Sequence, residues 1–258
     1  MLKKTFLPFF LFQSVALFSA QKETLPNINY GTLPSVDNGF YSSFNLDVWL
    51  LGGYAFNFAP ELTTYFALLK RNYKIDTVIE TGTFKGGTTV LFSCLFNQVH
   101  TIEIEPNTYN NAKKLLSPYS NVHCHFGSSE VVLDNLLPGL KHKPILLYLD
   151  AHWNEHWPLL NELEAISKTH KDNCIIVIDD FKVPGRPDIP YDHYGIHECS
   201  YEYIKEALDK VYSSYRLQYV IPRNINSRAK LAIFPSSWPI KRNQEEFIIE
   251  GESFYGER

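Results

Sequence analysis

Residues 76–89 read DTVIETGTFKGGTT, and this stretch decides the fold class of the 258-residue chain. A short apolar run ends at Glu80, and Gly82 and Gly86 follow before a segment of helix length begins. Glycine permits a tight turn and lets a ligand approach the backbone closely. The stretch therefore predicts a buried strand, a glycine turn and the start of a helix, which is the corner where α/β sheets bind ligands.

Strand-like and helix-like segments alternate on the C-terminal side of this corner. The runs at 145–149 and 174–178 are apolar throughout, as expected of strands that are buried on both faces of a sheet. This alternation predicts a mostly parallel sheet with helices on both faces. The predicted strands are 77–81, 100–105, 121–125, 145–149 and 174–178, and the predicted helices include 60–71, 87–97, 108–119, 155–170 and 200–212.

The last third of the chain has a different pattern. Residues 182–199 contain three prolines and two glycines, and so long a stretch without periodicity predicts a lid or binding loop. The apolar runs at 217–221 and 230–234 are separated by only eight residues, which predicts an antiparallel hairpin at one edge of the sheet. The predicted fold class is therefore α/β, with a mostly parallel sheet and a C-terminal antiparallel hairpin.

The N-terminal residues predict a separate segment. MLKK at 1–4 is basic and residues 5–20 are mostly apolar, which is typical of a secretory signal peptide. An uncleaved anchor and a cytoplasmic amphipathic start are the alternatives. A cleaved leader predicts export to a periplasm, a lumen or the extracellular space, with no stable membrane span in the remainder. The predicted limits are 1–20 for the leader, 21–59 for a loop-like arm, 60–238 for the α/β domain and 239–258 for a tail.

The composition excludes several classes of protein. With 45% hydrophobic and 20% charged residues, the chain has an ordinary globular balance. The formal net charge is −4 and no run of Lys or Arg exceeds two residues, so binding of nucleic acid through a basic face is not expected. Four cysteines are too few for a disulfide scaffold.

The glycine corner favours a cationic ligand. Its spacing matches neither the dinucleotide fingerprint nor a P-loop, and Glu80 in front of the glycines would repel a pyrophosphate. Glu103 ends the next strand, where a carboxylate can accept both hydroxyls of a ribose. The polar turn at 127–130 can contact an adenine. An ordinary strand–turn–helix corner and a simple helix cap are the alternative interpretations of 80–89 and 127–130.

Asp150, Asp179 and Asp180 end two neighbouring predicted strands. Three carboxylates at adjacent strand ends repel one another unless a cation neutralises them. Their hard oxygens favour Mg²⁺, Mn²⁺ or Ca²⁺ over zinc. In the alternative interpretation, Asp150 caps a helix and Asp179 pairs with a lysine. His152 and His156 on the following turn can serve as a base, as a fourth ligand or merely as surface residues.

Taken together, these motifs resemble the class I S-adenosylmethionine-dependent methyltransferases, in particular the divalent-metal O-methyltransferases of the catechol, caffeoyl-CoA and macrocin type. The similarity covers roughly 76–181, and the hairpin at 217–234 fits that fold's last two strands. It implies a Rossmann-like methyltransferase fold with S-adenosylmethionine and a divalent cation, Mg²⁺ being expected. The implied roles are Glu80, Gly82 and Gly86 around the methionine part of the cofactor, Thr88 as a further cofactor-binding residue, Glu103 on the ribose, Ser129 and Glu130 on the adenine, and Asp150, Asp179 and Asp180 on the metal.

One residue departs from that pattern. The catechol branch has a basic lysine just beyond the position of Asp150, whereas this chain has His152 there. The base is then His152, next to Asp150, or a loop residue such as His193. The expected reaction is O-methyl transfer to a hydroxyl of a small-molecule or glycan acceptor. The alternatives are a hydroxylase or other transferase on the same scaffold, and a secreted binding protein that has lost catalysis.

Overall fold

The structure is a computed structural model, and it describes residues 55–59, 62–152, 157–222, 228–241 and 255–257. The predicted leader, the predicted arm up to residue 54, His156 and most of the predicted tail lie outside the described residues. No helix within the described ranges is long and apolar enough to cross a membrane.

A single large sheet forms the centre of the described structure. Its strands are β1 Thr77–Thr81, β2 Gln98–Glu103, β3 Val122–Phe126, β4 Ile145–Leu149, β5 Cys174–Ile178, β8 Tyr215–Val220, β9 Lys230–Pro235 and β10 Tyr255–Glu257, and a separate hairpin is formed by β6 His193–Tyr194 and β7 His197–Glu198. The order in the large sheet is β10-β8-β9-β5-β4-β1-β2-β3, and the five strands β1 to β5 run parallel to one another. Strand β9 runs antiparallel to β5 and β8, which confirms the predicted C-terminal hairpin.

Helices cover both faces of the sheet. They are α1 Leu62–Tyr73, α2 Gly87–Leu95, α3 Pro106–Leu116, α4 Ser129–Leu136, α5 Leu159–Ser167 and α6 Tyr201–Val211. Alternate residues of β4 enter two different apolar clusters, because successive side chains of a strand point to opposite faces. Leu147 belongs to the cluster that contains residues of α4, α5 and α6, whereas Leu146 belongs to the cluster that contains residues of α1 and α2. This arrangement confirms the predicted α/β class with helices on both faces.

The end of one predicted strand and the predicted lid differ from the structure, each for an identifiable reason. Strand β2 ends at Glu103 rather than at 105, because the Glu105 carboxylate accepts a 2.6 Å hydrogen bond from the Thr108 amide and caps α3. The predicted lid at 182–199 contains the small β6–β7 hairpin. Its tip carries Gly195 in a left-handed conformation (φ 59°), which a tight hairpin turn requires.

Residues at the end of the predicted arm belong to the core. Ala55–Phe58 forms a turn, called the N-terminal turn below, in which Ala55 and Phe56 are buried against α1 and α2. At the other end of the chain, β10 pairs antiparallel with β8. Segments on both sides of the expected 60–238 domain therefore contribute to its structure.

Candidate functional site

A cleft of about 420 Å³ opens at the carboxyl ends of the parallel strands. Ligands of open α/β sheets bind at this edge, where the loops that follow neighbouring strands converge. The cleft is lined by residues that follow β1 to β5 and by residues of the N-terminal turn and the β6–β7 hairpin: Asn57, Gly82, Phe84, Ile102, Glu103, Ile104, Glu105, Thr108, Gly127, Ser128, Ser129, Asp150, Ala151, His152, Pro158, Asp180 and Tyr194.

Glu80 lies behind this lining rather than in it. Its Oε2 accepts hydrogen bonds from the hydroxyls of Thr89 (2.5 Å) and Thr101 (2.7 Å), and the residue is 1% exposed. Burial raises the pKa of Glu80 to about 7, and the two hydroxyl bonds oppose the rise. Glu80 therefore ties β1 to α2 and β2, and its expected place beside the methionine part of the cofactor stays a prediction.

The two glycines of the corner have different surroundings. Gly82 lines the cleft with φ 84°, and a Cβ atom there would lie 2.4 Å from the carbonyl oxygen of Asp150. Gly86 has φ 76° and starts α2, but its neighbour is the Leu116 side chain. Only Gly82 faces the cleft, and the backbone of β4 approaches it too closely for any other residue.

The Thr88 side chain is hydrogen-bonded to the N-terminal turn. Its hydroxyl oxygen accepts a 3.0 Å hydrogen bond from the Phe56 amide. The residue does not line the cleft. Thr88 thus fixes the N-terminal turn, a contact that sequence periodicity did not reveal, and its expected contact with the cofactor stays a prediction.

Glu103 stands in the cleft with a fixed carboxylate. Its Oε2 accepts from the Phe84 amide and its Oε1 from the Glu105 amide, each at 2.9 Å. Each carboxylate oxygen has a second lone pair, so Glu103 can still accept two hydroxyl hydrogen bonds from the cleft. Phe84 (60% exposed) and Ile104 (40% exposed) also line the cleft and add apolar surface to it. This combination suits a ribose with an attached aromatic base.

The two residues predicted to bind in the turn after β3 have different surroundings. Ser129 lines the cleft and is buried at the start of α4. Glu130 instead accepts a 2.6 Å hydrogen bond from the Ser128 hydroxyl and is not part of the lining. Behind Ser129 lies Glu162 of α5, which the sequence analysis missed because it falls within an amphipathic helix. Burial raises the pKa of Glu162 to about 7, against the opposing effect of the Ser129 and Thr81 hydroxyls.

Asp179 is held by the buried side chains of Lys230 and Tyr148, and the Asn57 amide of the cleft lining also donates to it at 3.3 Å. Its Oδ1 forms an ion pair with the ammonium of Lys230, and both side chains are 1% exposed. The hydroxyl of Tyr148 donates to Oδ2 at 2.5 Å. The lysine pairing anticipated as the alternative interpretation is thus the one that the structure has, and Asp179 is not in the carboxylate cluster that faces the cleft.

Asp150, His152 and Asp180 do come together. Each offers one possible ligand atom, and these atoms lie within 4.8 Å of one another. His152 Nε2 is 3.4 Å from Asp150 Oδ1 and 3.1 Å from Asp192 Oδ2. Asp180 Oδ2 is 2.6 Å from the Arg228 guanidinium, which also pairs with Asp192. The cluster thus joins His152 to two of the three aspartates predicted to bind a metal, and Asp179 lies outside it.

The protonation equilibria of this cluster are displaced. Burial, followed by the nearby charge of Asp179, raises the pKa of Asp150 well above its ordinary value. Burial lowers the pKa of His152, but the hydrogen bond to Asp150 and the charges of the neighbouring aspartates outweigh it, so the pKa is raised. The Tyr194 hydroxyl contacts His152 Nδ1 at 2.5 Å and fixes the ring. The other expected base, His193, is exposed and does not line the cleft.

Comparison with known proteins gives a fold and no close relative. No family model matches the sequence, and no curated protein matches it. A crystal structure assigned as an O-methyltransferase from Klebsiella pneumoniae superposes with a TM-score of 0.54 and 16% identity, over 80% of this chain and 99% of that one. TomG, an O-methyltransferase of tomaymycin synthesis from Streptomyces achromogenes solved with S-adenosylmethionine, gives 0.54 and 18%, over 81% and 100%.

These neighbours define the class of the fold. It is the Rossmann-like fold of the class I S-adenosylmethionine-dependent methyltransferases, as the sequence motifs implied. The cleft at the carboxyl ends of β1 to β5 is in the place where this architecture binds its ligands.

Proposed function

We propose that this chain is an S-adenosylmethionine-dependent enzyme that transfers a methyl group to a hydroxyl oxygen of a small-molecule or glycan acceptor. The observation that carries the proposal is the carboxylate of Glu103. It faces a cleft at the topological position of a cofactor site, with lone pairs left for two hydroxyl groups. The neighbour TomG, which has the same fold, is solved with that cofactor.

The cleft suits S-adenosylmethionine in size and charge. A volume of about 420 Å³ lies within the range of roughly 300–1,000 Å³ that is usual for ligand pockets. Four carboxylates line the cleft, namely Glu103, Glu105, Asp150 and Asp180, and the other ionisable lining residues are His152 and Tyr194. This set favours a cationic ligand over an anionic one. The cofactor supplies a methyl group on a sulfonium that is ready for in-line attack.

The residues of this chain would orient the acceptor and take its proton. His152 Nε2 lies between Asp150 and Asp192, so these carboxylates would stabilise the imidazolium formed when the ring accepts a hydroxyl proton. Tyr194 holds the opposite ring nitrogen and fixes the direction of Nε2. With its proton accepted by His152, the acceptor oxygen would be held in the cleft as the nucleophile toward the methyl group that the cofactor would supply. Positioning of the two reactants supplies much of the rate.

A divalent cation would be held by Asp150, His152 and Asp180. The chemistry that such an ion supplies is a lowered pKa of a bound hydroxyl. Carboxylates alone led us to expect Mg²⁺, whereas the imidazole nitrogen of His152 makes Mn²⁺ the better match. The two roles of His152 exclude each other, because Nε2 cannot bind a metal and accept a proton at the same time. Metal titration therefore decides which role it has.

Calorimetric titration of the full chain with S-adenosylmethionine tests the proposal. We expect binding by the wild type and a loss of at least tenfold in Glu103→Ala, because each hydrogen bond to a charged group contributes about 1.5–3 kcal/mol. Glu164→Ala removes an exposed carboxylate of α5 and serves as the control with unchanged affinity. A wild-type protein that binds no S-adenosylmethionine, with or without Mn²⁺, would refute the proposal.

We also propose that residues 1–20 are a signal peptide and that the mature protein is exported. The support is the basic start followed by an apolar segment shorter than the roughly 20 residues of a membrane-spanning helix. The N-terminal mass of protein recovered from its native cell should correspond to a chain that begins after Ala20. Recovery of the intact chain from the cytosol would contradict export.

A further inference from the structure

The N-terminal turn has an unusual backbone. Phe56 (φ 51°, ψ 40°) and Asn57 (φ 56°, ψ 53°) are both left-handed, although neither is glycine. Such a conformation is uncommon for asparagine and an outlier for a bulky aromatic residue. Two consecutive residues of this kind persist only where the surrounding structure determines them.

Contacts on three sides determine this turn. The Phe56 ring stacks on Phe66 with ring centroids 4.9 Å apart and meets Phe92 edge-on at 5.4 Å. The Phe56 amide donates to the Thr88 hydroxyl at 3.0 Å, which joins the turn to the first residues of α2. Phe56 is 1% exposed, so its ring anchors the turn in the core. The next residue along the chain is thereby presented at the cleft.

That next residue is Asn57, and its amide reaches the acidic end of the site. Nδ2 donates to Asp180 Oδ1 at 2.9 Å and to Asp179 Oδ2 at 3.3 Å. The other oxygen of Asp180 is held by Arg228 at 2.6 Å. Both oxygens of Asp180 therefore have a fixed partner, and Asn57 itself lines the cleft.

We infer that Asn57 is a positioning residue, which sets the orientation of the Asp180 carboxylate toward Asp150 and His152. Part of the site is thus built by a segment that precedes the first strand of the sheet. This inference rests on the proposed function in one respect, namely that the cluster of Asp150, His152 and Asp180 is the working part of the cleft. The competing explanation is that asparagine stands at position 57 only because it tolerates a positive φ.

Two substitutions separate these explanations. Asn57→Gly deletes the amide but suits the left-handed backbone, since glycine adopts positive φ without strain. Asn57→Ala deletes the amide and strains the turn. Asn97→Ala is the matched control, because it removes an asparagine–aspartate hydrogen bond (3.1 Å to Asp76) at the opposite end of the sheet. All variants are made in the full chain.

The first experiment measures two affinities. The affinity for Mn²⁺ is obtained from the electron paramagnetic resonance signal of the free ion, and the affinity for S-adenosylmethionine is obtained by calorimetry. We expect Asn57→Gly and Asn57→Ala to weaken Mn²⁺ binding about tenfold or more, as the loss of a ligand's hydrogen-bond partner usually does. S-adenosylmethionine affinity should stay within about twofold, because Asn57 contacts the acidic end of the cleft. Asn57→Gly with wild-type Mn²⁺ affinity would overturn the inference and leave only the tolerance of positive φ.

A second measurement keeps the inference testable if the wild type binds no Mn²⁺. The side-chain amide protons of Asn57 in the metal-free protein should resonate at low field, since two carboxylates accept from them, and the signal should vanish in both variants. An ordinary solvent-exposed amide shift for Asn57 would overturn the inference. A wild type that binds neither S-adenosylmethionine nor Mn²⁺, yet shows the shifted signal, would refute the proposed function and leave the positioning contact standing.

Discussion

Lys230 and Asp179 form an ion pair that is almost completely shielded from water, with both side chains 1% exposed. Strand register explains the pairing. Ile178 of β5 lies opposite Leu231 of the antiparallel β9, so the next positions along the two strands are Asp179 and Lys230. The pair converts one of three adjacent carboxylates from a possible metal ligand into a structural group.

Breaking this pair should be costly. Lys230→Met leaves the buried Asp179 carboxylate without its cation and close to Asp180, and removal of one partner of a buried pair typically destabilises a protein by about 3–5 kcal/mol. The unfolding free energy from urea denaturation measures the effect. Lys168→Met is the control, because Lys168 and Asp134 form an exposed pair at 2.8 Å that should contribute less than about 1 kcal/mol. Equal effects of the two substitutions would contradict the burial of Asp179.

The buried acid Glu80 predicts a pH dependence of stability. Its folded pKa of about 7 lies above the ordinary value of 4.5, so the folded state binds more protons than the unfolded state between these pH values. The unfolding free energy should therefore fall as pH rises from 4.5 through 7, by about 3 kcal/mol from this group alone. Glu162 contributes in the same direction.

Glu80→Gln isolates the contribution of that group. The variant should gain stability relative to the wild type as pH is raised from 4.5 to 8, because a neutral amide needs no proton to remain buried. Urea denaturation of both proteins across this range, without ligand or metal, gives the difference. A difference that stays constant with pH would show that Glu80 is ionised in the folded protein throughout the range.

The fold and the place of the site were predictable from the sequence because both follow from strand periodicity. Continuous apolar runs identify doubly buried strands, and the carboxyl ends of parallel strands meet at one edge. Glu103, Asp150 and Asp180 were found in this way and do line the cleft. Gly82 also lines the cleft, and the sequence indicated it because a glycine between a strand and a helix marks a left-handed turn.

The side chains that contact these acidic residues could not be predicted from strand periodicity. Lys230 begins β9 and Arg228 lies just before it, both far from Asp179 and Asp180 in sequence, and Asn57 comes from a turn without glycine or periodicity. The threonines that bury Glu80 are ordinary residues of α2 and β2. Side-chain partners decide whether an acid at a strand end faces the cleft or is neutralised behind it, and local sequence does not specify them. The Asp179–Lys230 pair follows from the antiparallel register of β5 and β9, whereas the predicted hairpin joins β8 and β9 and did not specify that pair.

Gly82 provides a test of the close approach between β1 and β4. Alanine there combines a left-handed φ of 84° with a Cβ atom 2.4 Å from the Asp150 carbonyl oxygen, which belongs to backbone and cannot yield easily. Gly82→Ala should destabilise the protein and displace Asp150 from the cleft. Gly185→Ala is the matched control, since Gly185 has φ 74° but no atom within 4 Å of its Cβ position, and it should cost only about 1–2 kcal/mol. Thermal unfolding of both variants gives the comparison, and equal losses would contradict the contact.

The last prediction concerns which residues hold a metal ion. If Asp150, His152 and Asp180 share a divalent cation, the ion stabilises the folded protein by mass action, by about 2.7 kcal/mol at a hundredfold excess over its dissociation constant. Addition of Mn²⁺ should raise the Tm of the EDTA-treated wild type. Asp150→Asn and Asp180→Asn should abolish that rise, because each removes the charge of a ligand. Asp179→Asn should lower the starting Tm through loss of the Lys230 pair and still show a rise with Mn²⁺.

His152→Gln separates the two roles of the histidine in the same experiment. If His152 is a ligand, it supplies the nitrogen that favours Mn²⁺ over Mg²⁺. Its loss should then reduce the rise in Tm caused by Mn²⁺ and bring that rise closer to the one caused by Mg²⁺. As the proton acceptor alone, its loss should leave both responses to metal unchanged. The wild type could instead bind S-adenosylmethionine while its Tm responds to neither ion. In that case the imidazolium of His152, and not a metal ion, would balance the charge of the Asp150 and Asp192 carboxylates. Proton transfer to His152 would then proceed without a metal, and the raised pKa of the ring would set the pH above which the reaction begins.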